Sequence, residues 1–552
     1  MNNPIIQREV VGFLRSPWSL ALQFIPAFLL AGLVIMRWPS AGQIDLAGSQ
    51  ARQVFELFGY GILTAIILLV PIFPATTIVL ERQQGTLALL LNSPMTNWSI
   101  YFGKLIGSLI CVLLPLFMSF PAAAAWYAMT GVDLVEHLGR LYVVLLMATI
   151  QYATLALLVS SFTSSTDAAL RITFSMVLLL AVASLAPFQL VQGGQGITVW
   201  IAEWIRSLSP IPALMEIVGR GDVTAQGLVT KTGFFGRFIM MAAVTSLYFI
   251  VHGAVRLRQT MFDRPRPQGV MTQDRSHLGQ WGRRMVFLVD PHRRTAAIGD
   301  WTNPVLVKEF RSRRFGRSQW MFRLVAASAV LSLLLAYTAT TETIRWGVET
   351  IGGMMVVLQV GLISILTPSL AAGLISSEHE NGGWKLLMMT PLSATRIVIG
   401  KLLSVGWTVG LTLMATLPGY VVMMAIKPVM QQQVLYVLIC LLLTAVLSVT
   451  LSAAVSSLFR RTAPATITCY ALLTLLLAVP MLIWLARDNP FGHSLVENVL
   501  TISPMAAAFT AMDVPGFVHY DLLPLNWYLI GAASIVCCVV LGVQTWRLTR
   551  PL

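Results

Sequence analysis

The sequence predicts an all-α integral membrane protein of about twelve transmembrane helices, built as two parallel six-helix repeats. Three observations predict it. The 552 residues are 56% hydrophobic and only 11% charged, with mean hydropathy +0.76, whereas a soluble domain carries about 25% charged residues, so lipid is the main solvent. Apolar runs of about 20 residues, long enough to cross a bilayer, recur along the whole chain. A polar insert punctuated by Gly and Pro occurs twice, as ERQQGTLALLLNSPMTNWSIYFGK from Glu81 and EHENGGWKLLMMTPLSATRIVIGK from Glu378, each time between two apolar runs.

The runs place the first six spans at about 19–37, 58–80, 105–128, 141–161, 170–190 and 236–256. The second six fall at about 321–339, 353–376, 402–426, 434–457, 465–486 and 527–546. The first run is followed by Arg37-Trp38-Pro39 with no small-residue cleavage site, so it is expected to remain as a span. The organisation read from these runs is a first half over 1–257, a basic linker over 258–300 and a second half over 301–552. The linker touches anionic lipid heads through its arginines on this reading.

Lys and Arg set the orientation. With the amino terminus, both inserts, the short loops near Ser164 and Arg460, the central linker and the carboxyl terminus on one side, that side, with Arg323 at the helix edge, holds 27 of the 37 basic residues. The positive-inside rule then puts both termini in the cytoplasm. The same rule accounts for the net charge of +14 without nucleic acid, for which no basic, aromatic-interleaved soluble domain exists. All five cysteines lie in apolar runs without metal-ligand spacing and read as buried hydrophobes.

The repeat has a definite register. A shift of 297 positions carries Glu81 onto Glu378, Gly85 onto Gly382, Pro94 onto Pro391 and Gly103-Lys104 onto Gly400-Lys401, and nine of the 25 positions from Glu81 to Leu105 are identical. The same shift matches Pro71 with Pro368 in the preceding span and Pro121 with Pro418 in the following one. Proline inside a helix costs about 3 kcal/mol in water, so matched prolines are unexpected by chance. Nearby registers match NPIIQRE at Asn3 with NPVLVKE at Asn303, SSF at Ser160 with SSL at Ser456, and SPIPAL at Ser209 with SPMAAA at Ser503. Six spans in the same order in each half make the repeat parallel.

Several chemistries are excluded. No glycine-rich phosphate cradle, metalloprotease helix or nucleophile elbow occurs, so no catalytic or metal site is expected and the chain should not bind ATP itself. No Asp or Glu falls near the middle of a span, which counts against an ion-coupled secondary transporter.

Each insert reads as a helix-turn-helix knob. Glu81 or Glu378 ends a span, Gly85 or Gly382 permits a sharp turn, and a helix too short to cross the membrane runs to Pro94 or Pro391. Thr96 or Ser393 can cap the next helix. Leu87, Leu89, Leu90 and Leu91 form an apolar face that must bury against something, and physics alone leaves two places, the lipid interface or a partner protein. Leu386 and Leu387 are the matching residues of the second knob. Lys104 and Lys401 read as interface anchors, their stems along the apolar surface and their ammonium groups in the headgroup region.

These stretches resemble the ABC type-two export permeases. ERQQGTLALLLNSPM followed by GKL is similar to the segment after their second helix, NPIIQREVVGFLRSPW and NPVLVKEFRSRRFGRS to their leading amphipathic helix, and SPIPALMEIVGRGD to their extracytoplasmic loop before the sixth span. The resemblance covers both halves. It implies a permease component of an ATP-driven exporter in the bacterial inner membrane, coupled to a separate cytosolic ATPase dimer that binds ATP and Mg. The knobs, with Glu81, Gly85, Leu87, Leu89, Leu90, Pro94 and their partners Glu378, Gly382, Leu386, Leu387 and Pro391, then become coupling helices. The resemblance also sets the second span of each half beside the export path, which makes Pro71 and Pro368 hinge candidates; a fixed kink filled by packing is the alternative. A secondary carrier, or a scaffold that transmits ATPase motion without moving a solute, remains the rival reading. In the second copy Gly383 replaces Thr86 and Trp384 replaces Leu87, so the two knobs are not expected to dock alike.

Overall fold

The computed structural model describes residues 3–15, 32, 49–123, 134–163, 165–181, 183–185, 187–188, 197–218, 233–257, 303–311, 325–333, 335, 348–485, 487 and 492–549. Among the described residues every regular element is helical. In the first half the helices used below are α1 (Pro4–Leu14), α2 (Ser49–Leu69), α3 (Ile72–Gln84), α4 (Thr86–Leu91), α5 (Asn97–Met118), α6 (Arg140–Phe162), α7 (Thr166–Ala181), α8 (Ile197–Arg206), α9 (Pro210–Val218) and α10 (Phe234–Arg256). The second half follows the same order with α11 (Pro304–Arg311), α12 (Val348–Ala371), α13 (Ser376–Glu380), α14 (Gly383–Met388), α15 (Ala394–Ile426), α16 (Gln431–Leu458), α17 (Thr462–Leu485), α18 (His493–Leu500), α19 (Pro504–Ala511) and α20 (Leu525–Thr549).

Nine helices among the described residues are long and apolar enough to cross a membrane, and they coincide with nine of the twelve expected spans. The protein is an all-α, multi-pass membrane protein. The expected span at 170–190 appears as the shorter α7. The one at 321–339 is described only over 325–333, which is helical, and at 335. The span at 19–37, apart from Gly32, and the linker at 258–300 lie outside the described residues.

The chain divides into two compact units, Met1–Asp263 with Ala478–Val496, and Arg264–Leu477 with Glu497–Leu552. Within the first, α6 is the central helix. It is buried along most of its length and packs against α3, α7 and α10. Small residues on it, including Ala148, Ala153 and Ala156, let neighbouring helices approach closely. In the second unit α16 has the corresponding role against α12 and α20.

The matched prolines behave differently. Pro71 stands at an interruption, with α2 ending at Leu69 and α3 starting at Ile72. Pro368 lies inside α12, where Ala372 N–H still donates to its carbonyl at 3.0 Å, and the interruption falls afterwards, over 372–375. Pro418 is inside α15 as expected, but Pro121 lies beyond the end of α5, whose interior proline is Pro115.

Candidate functional site: a lysine between two carboxylates at the base of each knob

The leading helix of each half is built the same way. Asn3 caps α1 by accepting from Ile5 N–H at 3.0 Å, and Asn303 does the same for Val305 N–H at 3.0 Å. The amide of Asn3 then donates to the Ser99 carbonyl at 2.9 Å, and that of Asn303 to the Arg396 carbonyl at 2.8 Å, so each leading helix lies on the start of the third span. The glycine of each Gly-Lys pair makes room for this. A Cβ at Gly103 would sit 2.8 Å from Asn3 Nδ2 and 3.1 Å from Ile5 Cβ, and one at Gly400 would sit 2.8 Å from Asn303 Nδ2.

With the helix so close, the lysine reaches across. Lys104 Nζ donates to Glu9 at 2.8 Å and to Glu81 at 3.3 Å. Arg8 pairs with the same Glu81 carboxylate, and the Thr86 hydroxyl donates to it as well. In the second half Lys401 Nζ donates to Glu309 at 2.9 Å and to Glu378 at 3.0 Å, while Lys308 reaches Glu378 at 2.8 Å. Among the described residues each cluster brings together two cations and two anions. Burial works against the Arg8 charge, but Glu81 and Glu9 outweigh it and hold the guanidinium above its ordinary range.

The reading of Lys104 and Lys401 as interface anchors is corrected. Lys104 is 1% exposed and Lys401 3%, and both ammonium groups point inward onto carboxylates. Snorkelling lets a lone lysine avoid desolvation. Here two acidic partners offset that cost instead, and one of them comes from a helix about 95 residues away in sequence.

Above each cluster stands the knob. Gly85 and Gly382 both adopt positive φ, +75° and +71°, a left-handed conformation that favours glycine. Their turns launch α4 and α14. On α4, Leu87 and Leu91 are buried against Ile5, Ile78, Ile100, Tyr101 and Leu105, and Leu90 is half-buried on the same cluster. Leu89 is 72% exposed. On α14 the buried position is Trp384, stacked on His379 at 5.1 Å, and Leu386 is 69% exposed. The four-leucine face is therefore split: Leu87 and Leu91 are held within the chain, and Leu89 with Leu386 projects outward at the same register. Pro94 and Pro391 are exposed where each short helix ends.

Gly383 has a local reason. A Cβ there would fall 2.3 Å from the Glu378 carboxylate, so in the second half the carboxylate occupies space that the Thr86 side chain takes in the first.

Sequence reasoning missed Arg8, Glu9, Lys308 and Glu309. Their signal was the matched basic-acidic pair within NPIIQRE and NPVLVKE. It also read the SSF and SSL matches only as repeat markers. Ser160 Oγ accepts from Ile78 and Val79 N–H, both at 3.2 Å, and Ser456 Oγ accepts from Ile375 and Ser376 N–H at 3.0 and 3.1 Å. Each serine thus ties the fourth span of its half to the segment carrying the knob.

Known proteins bear on this arrangement. The chain is similar to the probable ABC transporter permease protein NosY of Pseudomonas aeruginosa, 28% identical over 236 residues, which are 41% of this chain and 84% of that one. The relative is therefore about half as long as this chain. The model of the ABC-2 family transporter protein matches in two segments, residues 37–252 and 347–543, one in each half and each containing one knob. With three-quarters of its length matched in this way, the chain belongs to the ABC-2 transporter family and is a membrane permease of an ABC transporter.

Proposed function

We propose that this chain is two export-permease halves fused in tandem, and that α4 and α14 are the two elements a cytosolic ATPase dimer grips. The observation that carries the reading is the pair of outward leucines, Leu89 and Leu386, at one register on two short helices whose other faces are buried in the chain. An apolar residue on a short helix held away from the core is suited to a partner's pocket. ATP and Mg are bound by the partner, and hydrolysis occurs there. The buried Lys–Glu clusters give the grip a stiff footing, because each joins the knob's base, the leading helix and the third span through charge-assisted bonds. A force on α4 is then passed to α1 and α5 together.

On this reading the knobs and both termini face the cytoplasm of a bacterial inner membrane, and the solute moves outward. The reading is tested by reconstitution. The chain alone in vesicles has no transport activity and no ATP turnover. Adding the ATPase produces nucleotide-dependent export and a substrate-stimulated rate. Transport driven by an ion gradient without ATP supports a secondary carrier instead, and ATP turnover that no solute stimulates supports a scaffold.

A further inference from the structure

Arg206 lies at the end of the first half that is remote from the ion cluster. Helix α10 spans the interval: near its last turns Gly253 packs on Tyr101 beside the cluster, while its first residue, Phe234, faces Arg206. At 1.5 Å per residue the two sites are about 30 Å apart.

Arg206 is 1% exposed. Its guanidinium stands 4.5 Å from the Phe188 ring centre and 4.8 Å from that of Phe234. The rings serve its faces, but Nε, Nη1 and Nη2 are buried without a hydrogen-bond partner, and so is Trp204 Nε1. A second cation, Arg237, lies 5.9 Å from the Phe234 ring and 5.8 Å from that of Trp204. Glu203 is bonded to Arg237 at 2.7 Å, and Glu216 is bonded to the backbone N–H groups of Gly233 and Phe235. Every unmet valence in this group is therefore a donor, and Glu203 and Glu216 bond to Arg237 and to backbone N–H groups, with no hydrogen bond to Arg206. Burial lowers the Arg206 guanidinium to about 10, against the pull of Glu203, so it is charged at neutral pH.

The second half shows that packing does not require this charge. At an offset of 294, Glu203-Trp204-Ile205-Arg206-Ser207-Leu208-Ser209-Pro210 aligns with Glu497-Asn498-Val499-Leu500-Thr501-Ile502-Ser503-Pro504, and Leu500 is fully buried in the place of Arg206. The outer face of α8 identifies the surroundings. Ile197, Trp200 and Ile201 are exposed on it, and Trp with aliphatic residues at the end of a span belongs at headgroup depth, where phosphates are dense.

We propose that Arg206 and Trp204 Nε1 form a binding site for a phosphate oxyanion at this end of the first half, with a lipid headgroup as its main source. The planar fork of a guanidinium matches two oxygens of such a group. The guanidinium is enclosed, so binding requires its surroundings to open.

The test uses the full chain in phosphatidylcholine nanodiscs and follows thermal unfolding. One arm raises the phosphatidylglycerol fraction. The other adds inorganic phosphate at constant ionic strength. Wild type gains stability in a saturable way with phosphatidylglycerol. Arg206→Leu, which copies Leu500, folds but needs at least about tenfold more lipid, the equivalent of one charge-assisted hydrogen bond. Arg206→Lys falls between them. Saturation by inorganic phosphate alone, lost in Arg206→Leu, upholds the site with a free anion as its source. A wild-type chain that responds to neither probe, or an Arg206→Leu chain that responds like wild type, overturns the proposal. Should Arg206→Leu fail to fold, Arg206→Gln carries the same comparison. None of these outcomes depends on the ATPase.

Discussion

Lys104 Nζ and Glu9, 95 positions apart, meet at 2.8 Å in a site where the lysine is almost wholly enclosed. Lys401 and Glu309 repeat the contact at 2.9 Å in the second half. Removing one partner of a buried pair strands the other charge, which costs about 3–5 kcal/mol. Lys104→Ala and Lys401→Ala are each expected to destabilise the chain on that scale, measured by thermal unfolding in detergent. A double-mutant cycle with Glu9→Gln should show strong coupling, since the second loss removes a carboxylate that the first left with Arg8 as its remaining cation. Independent, additive effects would mean that the pair contributes nothing as a pair.

Leu87 and Leu89 share one short helix and predict opposite outcomes. Leu89→Asp places a carboxylate on an exposed position, so the permease folds and inserts as before, and the change appears as lost co-purification with the ATPase. Leu386→Asp acts in the same way on the second knob. Leu87→Asp buries an unpaired carboxylate among Ile78, Ile100 and Leu105 and should reduce folded yield before any partner is added. Pull-down at wild-type level by both exposed-site variants would remove the docking reading and leave the lipid interface as the place of the knob.

Gly103 is required by close approach, not by backbone conformation. Gly103→Val pushes against Asn3 and Ile5, where space is already below 3.2 Å. The outcome expected is a displaced α1, seen as faster tryptic cleavage after Arg8 and Arg15, at a cost of about 1–3 kcal/mol typical of overpacking. Unchanged cleavage would show that α1 does not depend on this contact.

Orientation is open to labelling. In a background with the five cysteines replaced by alanine, Ser494→Cys is exposed on the side assigned to the exterior and reacts in intact cells. Gln83→Cys, exposed beside the first knob, reacts only once the membrane is opened. Ser207 is unsuitable as an exterior site despite its place in the loop region, because it is buried. Labelling of Gln83→Cys in intact cells would put the knobs on the wrong side for a cytosolic ATPase.

The sequence by itself determined the class, the doubled organisation and the position of each knob. Hydropathy is a local property, and so are the turn at Gly85 and Gly382 and the helix starts at Thr96 and Ser393; each can be read within a few residues. What the side chains face was decided only by tertiary structure. Lys104 could have pointed to headgroups or inward, and the choice rested on whether the leading helix would bring Glu9 alongside. Leu87 and Leu89 are chemically identical, and only the packing of α4 on Ile5, Ile78 and Tyr101 separates the buried one from the exposed one. Pro71 and Pro368 occupy matched positions, yet a break falls at the first and a helix continues through the second. Arg206 and Leu500 occupy aligned positions, and the rings of Phe188 and Phe234 that receive the arginine come from other segments of the chain. In each case the deciding partner is distant in sequence, and local preference carries no information about it.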